Sequence, residues 1–133
     1  MSLQKPVIAV VGPTGLVGSE MLSIINEKNF PVEEIILLAS KDSAGEVYQA
    51  RGEEVAVTEL NENSFEGVDV ALFATSGELS EKYVPIAIKA GAVVIDNSST
   101  FRMRDDVPLI VPEVNWGAIK PGQKIIANPN CST

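Results

Sequence analysis

The feature that most constrains this chain lies near its start, where the apolar run Val7-Ile8-Ala9-Val10-Val11 is closed by Gly12-Pro13-Thr14-Gly15-Leu16-Val17-Gly18 and a helical pattern follows directly. A run without a polar face reads as a strand buried on both sides, the state of a parallel strand in a sheet covered by helices. From Gly15 to Lys28, the residues Leu16, Val17, Met21, Leu22, Ile24 and Ile25 recur at helical spacing. Asn29 and Pro31 then end the helix. The glycine spacing is G-x-x-G-x-x-G and not the commoner G-x-G-x-x-G, but the physics is shared. Glycine allows a tight turn and the close approach of a pyrophosphate, and the helix N-terminus offers it free N–H groups. Thr14 adds a hydroxyl donor. After a buried strand the loop reads as a dinucleotide site, against the alternative of a strand–helix turn with no ligand.

The same alternation continues along the chain. Ile35 to Ala39 and Val70 to Ala74 read as buried strands, and Val55 to Val57 as a short one. Ser80 to Ala90 reads as a helix with Tyr83, Val84, Ala87 and Ile88 inward, Pro85 in its first turns and Gly91 closing it. Ala92 to Ile95 and Ile125 to Ala127 supply further strands, with loops over 98–108 and 112–122. Apolar strands alternating with amphipathic helices predict an α/β fold, a Rossmann-like doubly wound and mostly parallel sheet. The 133 residues fit one domain, 45% hydrophobic but only 5% aromatic, so its core is aliphatic.

Charge narrows the function classes. Ten basic against eighteen acidic residues give −8, a field that repels both nucleic acid and anionic membranes. Glu46, Glu53, Glu54, Glu59, Glu62 and Glu66 face only Arg51 in their stretch and read as a solvated surface. No apolar run approaches the roughly 20 residues of a membrane span. The opening Met-Ser-Leu-Gln-Lys-Pro has no signal-peptide pattern, so a cytoplasmic location is expected. A single cysteine excludes an internal disulfide framework, and the absence of histidine means that no imidazole base lies within these residues. No metal site is expected. The chain breaks off at Pro129-Asn130-Cys131-Ser132-Thr133, which reads as a strand exit entering a helix, so a truncated or excised domain is expected.

Three further stretches carry candidate chemistry. Ser40-Lys41-Asp42-Ser43-Ala44-Gly45 follows the second strand, where an acidic residue favours NAD and a basic one the phosphate of NADP. Lys41 and Ser43 suit the phosphate and Asp42 opposes it; a plain solvated turn is the alternative. Asp96-Asn97-Ser98-Ser99 leaves the fourth strand, and Arg102 beyond it is a bidentate donor for a carboxylate or phosphate, or else an ordinary surface arginine. Cys131 begins the last predicted helix, whose N-terminus favours the thiolate, and Asn130 beside it can polarise a carbonyl. The alternative for Cys131 is an inert core thiol.

Taken together, six segments resemble aspartate-β-semialdehyde dehydrogenase. They are the Gly12–Gly18 loop, Leu38 to Gly45, Ser64 to Asp69, Val94 to Met103 with its Asp-Asn-Ser-Ser-Thr-Phe-Arg-Met, Val111 to Asn115, and Ala127 to Thr133. They run in family order over essentially the whole chain. The resemblance implies an NADP-dependent, reversible reductive dephosphorylation of L-aspartyl 4-phosphate to L-aspartate 4-semialdehyde, on the route to lysine, threonine, methionine and isoleucine. It implies that Cys131 attacks the acyl phosphate, expelling phosphate, and that hydride from the nicotinamide resolves the thioester. It matches Asn130 to the asparagine beside the nucleophile, Arg102 to the substrate-phosphate arginine, and Thr14, Gly15, Leu16 and Val17 to the pyrophosphate loop. Cofactor contacts are implied for Gly12, Gly18, Ser40, Lys41, Asp42, Ser43, Ser76, Gly77 and Asn97.

The chain departs from the family in three ways. Asp42 stands where arginine commonly holds the 2′-phosphate, which leaves NAD open beside NADP. Thr75-Ser76-Gly77 replaces a frequent Ala-Gly-Gly. The C-terminal domain, with the catalytic histidine, the groups binding the aspartyl end and most of the dimer interface, is absent. The implied partners are a small-molecule substrate and, at full length, a second copy in a homodimer or dimer of dimers; the 133-residue piece is expected not to turn over. The alternatives are an N-acetyl-gamma-glutamyl-phosphate reductase-like enzyme, which shares the glycine loop, and a non-enzymatic Rossmann binding module.

Overall fold

A computed structural model describes residues 5–28, 31–98, 100–101, 107–110, 117 and 122–127. Among these, the order is β1 (Val7–Val11), α1 (Leu16–Lys28), β2 (Glu34–Ala39), a 3-10 turn (Lys41–Ser43), β3 (Val47–Ala50), β4 (Glu53–Glu59), β5 (Val70–Phe73), α2 (Gly77–Lys89), β6 (Val93–Asp96) and β7 (Ile125–Ala127). The strands form one seven-stranded sheet in the order β3-β4-β2-β1-β5-β6-β7. Every pairing is parallel except the β3–β4 hairpin at the edge.

The expected doubly wound sheet follows from which way the strand residues point. Ala9, Val11, Leu38, Ala71, Phe73 and Val94 pack with Tyr83, Val84 and Ala87 of α2. Val10, Ile35, Leu37, Ala39 and Val57 pack with Leu22 and Ile25 of α1. The two helices therefore cover opposite faces, and the apolar runs lack a polar alternate because both faces are inside. In α1 the buried positions are Gly18, Leu22 and Ile25. In α2 they are Ser80, Tyr83, Val84 and Ala87, a helical stripe with one serine in it. Two of the few aromatics, Phe65 and Phe73, stack 5.7 Å apart within a mainly aliphatic core.

Three elements differ from the sequence expectation. β3 was not anticipated, because its exposed Val47 and Gln49 leave no apolar run. β4 spans Glu53–Glu59 and not only Val55–Val57; as a strand near the edge, with one face open, it keeps its glutamates in solvent. α2 starts at Gly77, three residues before the expected Ser80, because Ser76 caps it by accepting from the Leu79 N–H. Pro85 consequently lies inside the helix and not in its first turns. It removes one intrahelical donor, but it is exposed, as is Glu81 one turn earlier, so water reaches the freed carbonyl. The glutamates from Glu46 to Glu66 are all exposed, as expected of a solvated surface. No helix among the described residues is long and apolar enough to cross a membrane.

Candidate dinucleotide cleft

The chain runs outward from β1 in both directions, to β2 on one side and to β5 on the other. Such a switch point opens a crevice at the strand C-termini, where open α/β sheets hold ligands. Here it is a cleft of about 460 Å³. Its lining comes from the ends of four strands: Val11, Gly12, Thr14 and Gly15 after β1, Ala39, Ser40 and Lys41 after β2, Glu59 and Leu60 at β4, and Ala74, Thr75 and Ser76 after β5. Leu79 and Tyr83 of α2 complete it. The starts of α1 and α2 flank the loops, so two helix N-termini contribute positive potential and unpaired N–H groups.

The three loop glycines do different work. Gly12 has φ +89°, and a Cβ there would sit 2.6 Å from the Ala74 carbonyl oxygen. Its own N–H donates to the Leu38 carbonyl at 2.8 Å, and the Ala74 N–H donates to the Val11 carbonyl at 2.9 Å, so the turn is held between β2 and β5. At Gly18 a Cβ would fall 1.9 Å from the Gly12 carbonyl oxygen, so this glycine lets α1 seat against the loop. Gly15 is unlike both: a Cβ would meet only the Gly12 carbonyl oxygen, at 3.8 Å, and the residue is exposed on the cleft. Packing requires the outer glycines, whereas the middle one leaves space open on the cleft.

The sequence candidates separate on this geometry. Gly12, Thr14, Gly15, Ser40, Lys41 and Ser76 come together on the cleft wall. Leu16 begins α1 and is 88% exposed, Val17 is half-buried and Gly18 is packed under the loop. Asp42 and Ser43 lie on the 3-10 turn beside the cleft, outside its lining, with Asp42 exposed. Gly77 opens α2, and Asn97 is half-buried beyond β6 with its N–H on the Phe73 carbonyl at 2.9 Å. Arg102, Asn130 and Cys131 lie outside the described residues, as do Ser99, Asn29, Met103 and 111–115. Their described neighbours do converge: Leu109 bridges Ala127 in parallel, the Ile110 N–H donating to the Ala127 carbonyl at 2.9 Å and the Ala127 N–H to the Pro108 carbonyl at 3.0 Å. The segment following Arg102 is thus tied to the strand that precedes Cys131.

Sequence reasoning missed Glu59, Leu60, Thr75, Leu79 and Tyr83. Glu59 pairs with Ala39 in the β2–β4 register and so sits beside the exit to Ser40 and Lys41. Only the correct length of β4 could have revealed it. Thr75 carries a signal in the Thr-Ser-Gly that follows β5.

Comparisons with known proteins identify the family. Residues 7–121 match the family model described as semialdehyde dehydrogenase, NAD binding domain. The aspartate-semialdehyde dehydrogenase of Aquifex aeolicus is 53% identical over 95% of this chain and 38% of its own length. The crystal structure of aspartate semialdehyde dehydrogenase II complexed with ASA from Vibrio cholerae superposes with a TM-score of 0.92, at 50% identity, over 97% of this chain and 43% of that one. The Candida albicans aspartate semialdehyde dehydrogenase with NADP gives 0.74 at 26% identity, over 96% of this chain and 43% of that one. The chain thus spans well under half the length of these relatives. With the matching family model covering most of its residues and the nicotinamide-type cleft at its switch point, this chain belongs to the semialdehyde dehydrogenase NAD-binding domain family.

Proposed function

We propose that this chain is the cofactor-binding part of an NADP-dependent aspartate-semialdehyde dehydrogenase, which converts L-aspartyl 4-phosphate reversibly to L-aspartate 4-semialdehyde and phosphate. The observation that carries the reading is the glycine loop at the switch point, with Gly15 left open and Lys41 on the same wall. Gly12, Thr14, Gly15 and Ser76 hold the pyrophosphate, with the N-termini of α1 and α2 directed at its charge. Ser40 and Lys41 supply a hydroxyl and an ammonium for the 2′-phosphate that distinguishes NADP. When bound, the nicotinamide supplies hydride to the acyl carbon.

In this reading the Cys131 thiolate adds to the acyl-phosphate carbon and phosphate leaves with the bonding electron pair, giving an enzyme thioester. Asn130 donates to the carbonyl oxygen as charge develops on it. Arg102 neutralises the departing phosphate through a bidentate contact. In this reading the histidine that serves as acid–base comes from outside these 133 residues, which contain none. The 133-residue chain therefore binds cofactor without turning over. The same reading carries a cytoplasmic location and a homodimer or dimer of dimers for the full-length enzyme.

The test uses the full-length protein. Mixed with aspartate semialdehyde, phosphate and NADP, it forms NADPH in a phosphate-dependent way, and Cys131→Ala abolishes this. No NADPH under those conditions overturns the reading, and a preference for the N-acetylglutamyl semialdehyde replaces it with the arginine-type reductase.

A further inference from the structure

Asp96, at the end of β6, is completely buried, and the proposed chemistry does not use it. Its Oδ1 accepts from the Ser80 hydroxyl at 3.0 Å and from the Ser98 N–H at 3.1 Å. Its Oδ2 accepts from the Ser98 hydroxyl at 2.7 Å. A carboxylate removed from water is tolerated only with its lone pairs satisfied in this way. The bonds reach further on both sides. The Ser80 hydroxyl lies 3.2 Å from the Thr75 hydroxyl, and Thr75 is part of the cleft wall. The Thr100 N–H donates to the Ser98 hydroxyl oxygen at 3.3 Å, and the Thr100 hydroxyl donates to the Gly77 carbonyl at 3.0 Å.

Counting hydrogens fixes the direction of this chain of bonds. Ser80 has one hydroxyl hydrogen, and it is given to Asp96. Towards Thr75, Ser80 is left with lone pairs only, so Thr75 must be the donor of that bond. The hydrogen of Thr75 is thereby turned inward, and what Thr75 offers a molecule in the cleft is an acceptor. Without Asp96 the Ser80 hydrogen is free to reverse the sequence, and Thr75 then presents either polarity.

We propose that Asp96 is a positioning residue for the cofactor cleft: through Ser80 it holds the Thr75 hydroxyl as a hydrogen-bond acceptor for an O–H or N–H group of the bound dinucleotide. This rests on the dinucleotide reading of the cleft.

The test measures NADP and NAD dissociation constants for the full-length protein, the single variants Ser80→Ala and Thr75→Val, and their combination, each with a thermal melt to verify the fold. Each single variant weakens binding about fivefold, as the loss of one oriented hydrogen bond does. The combination is no weaker than Thr75→Val alone, because Ser80 acts only through Thr75. Asp96→Asn, whose amide oxygen can take the place of Oδ1, stays within about twofold of wild type. Binding by Ser80→Ala equal to wild type, or single effects that multiply in the combination, overturns the proposal alone. Wild-type protein that binds neither dinucleotide overturns the cleft reading and the proposal with it.

Discussion

The wall that follows β1 and the wall that follows β5 face one cleft, but they are rigid for different reasons. The first is held by backbone packing: Gly12 and Gly18 have no room for a side chain, and the nearest obstacle to each is a main-chain carbonyl oxygen that cannot move aside. The second is held by side chains, with the Asp96 carboxylate gathering Ser80 and Ser98, and Thr75 and Thr100 attached to those. A packed wall fails abruptly when volume is added, whereas a hydrogen-bonded wall fails by degrees as partners are removed. This difference also decides what each wall can tune. In the proposed reading the packed loop sets where an anion sits, and the bonded wall sets which polarity the cleft presents.

The sharpest break of the packed wall is Gly18→Ala. The added Cβ would lie 1.9 Å from the Gly12 carbonyl oxygen and 2.6 Å from its carbon, so α1 must move off the loop. Overpacking of backbone costs about 3 kcal/mol, and thermal unfolding of a domain this size drops by roughly 10 °C. A melt within about 2 °C of wild type would show that the loop yields, and the contrast between the walls would collapse.

Gly15→Ala is the matched control on the same loop, with a smaller and different effect. The site has room, because the nearest atom to the new methyl is 3.8 Å away, and its φ is not in the left-handed region. Stability therefore stays within about 0.5 kcal/mol. The methyl occupies space on the cleft wall, and NADP binding weakens about tenfold or more. Equal losses of stability in Gly15→Ala and Gly18→Ala would mean that the glycines share one role and that Gly15 is not kept open for a ligand.

These two walls also explain how much of the site could be read from residues alone. The packed wall was legible because its three glycines fall within seven consecutive residues, and glycine at fixed spacing is itself the mark of close approach. The buried strands were legible because burial on both faces leaves an unbroken apolar run. The bonded wall was not, since its members Thr75, Ser80, Asp96, Ser98 and Thr100 are polar residues spread over two connections. Ser80 looked like the start of a helix and is in fact a core position whose hydroxyl has a buried acceptor. β3 and the full length of β4 escaped because an edge hairpin buries one face at most, and alternation over so few residues is weak. Glu59 was lost with them.

The last and smallest expected effect concerns the turn after β2, where neither wall dominates and long, solvated side chains compete. Asp42 and Lys41 are adjacent, but only Lys41 is on the cleft lining, and Asp42 is exposed on the 3-10 turn. The second carboxylate of relevance is Glu59, which reaches the lining from β4 beside Ala39. Charges in solvent are screened and contribute at most about 1 kcal/mol each. Lys41→Ala should therefore lower the ratio of NADP to NAD affinity about fivefold at low salt, and less as salt is added. Asp42→Arg should change the same ratio by less than about twofold unless the new, longer side chain bends back over Lys41. Titrations of both variants with each dinucleotide at two ionic strengths decide between them. If Asp42→Arg raises NADP preference more than Lys41→Ala lowers it, position 42 and not the cleft-lining Lys41 governs the choice of dinucleotide, and the selectivity assigned to Lys41 and Ser40 passes to the residue at position 42.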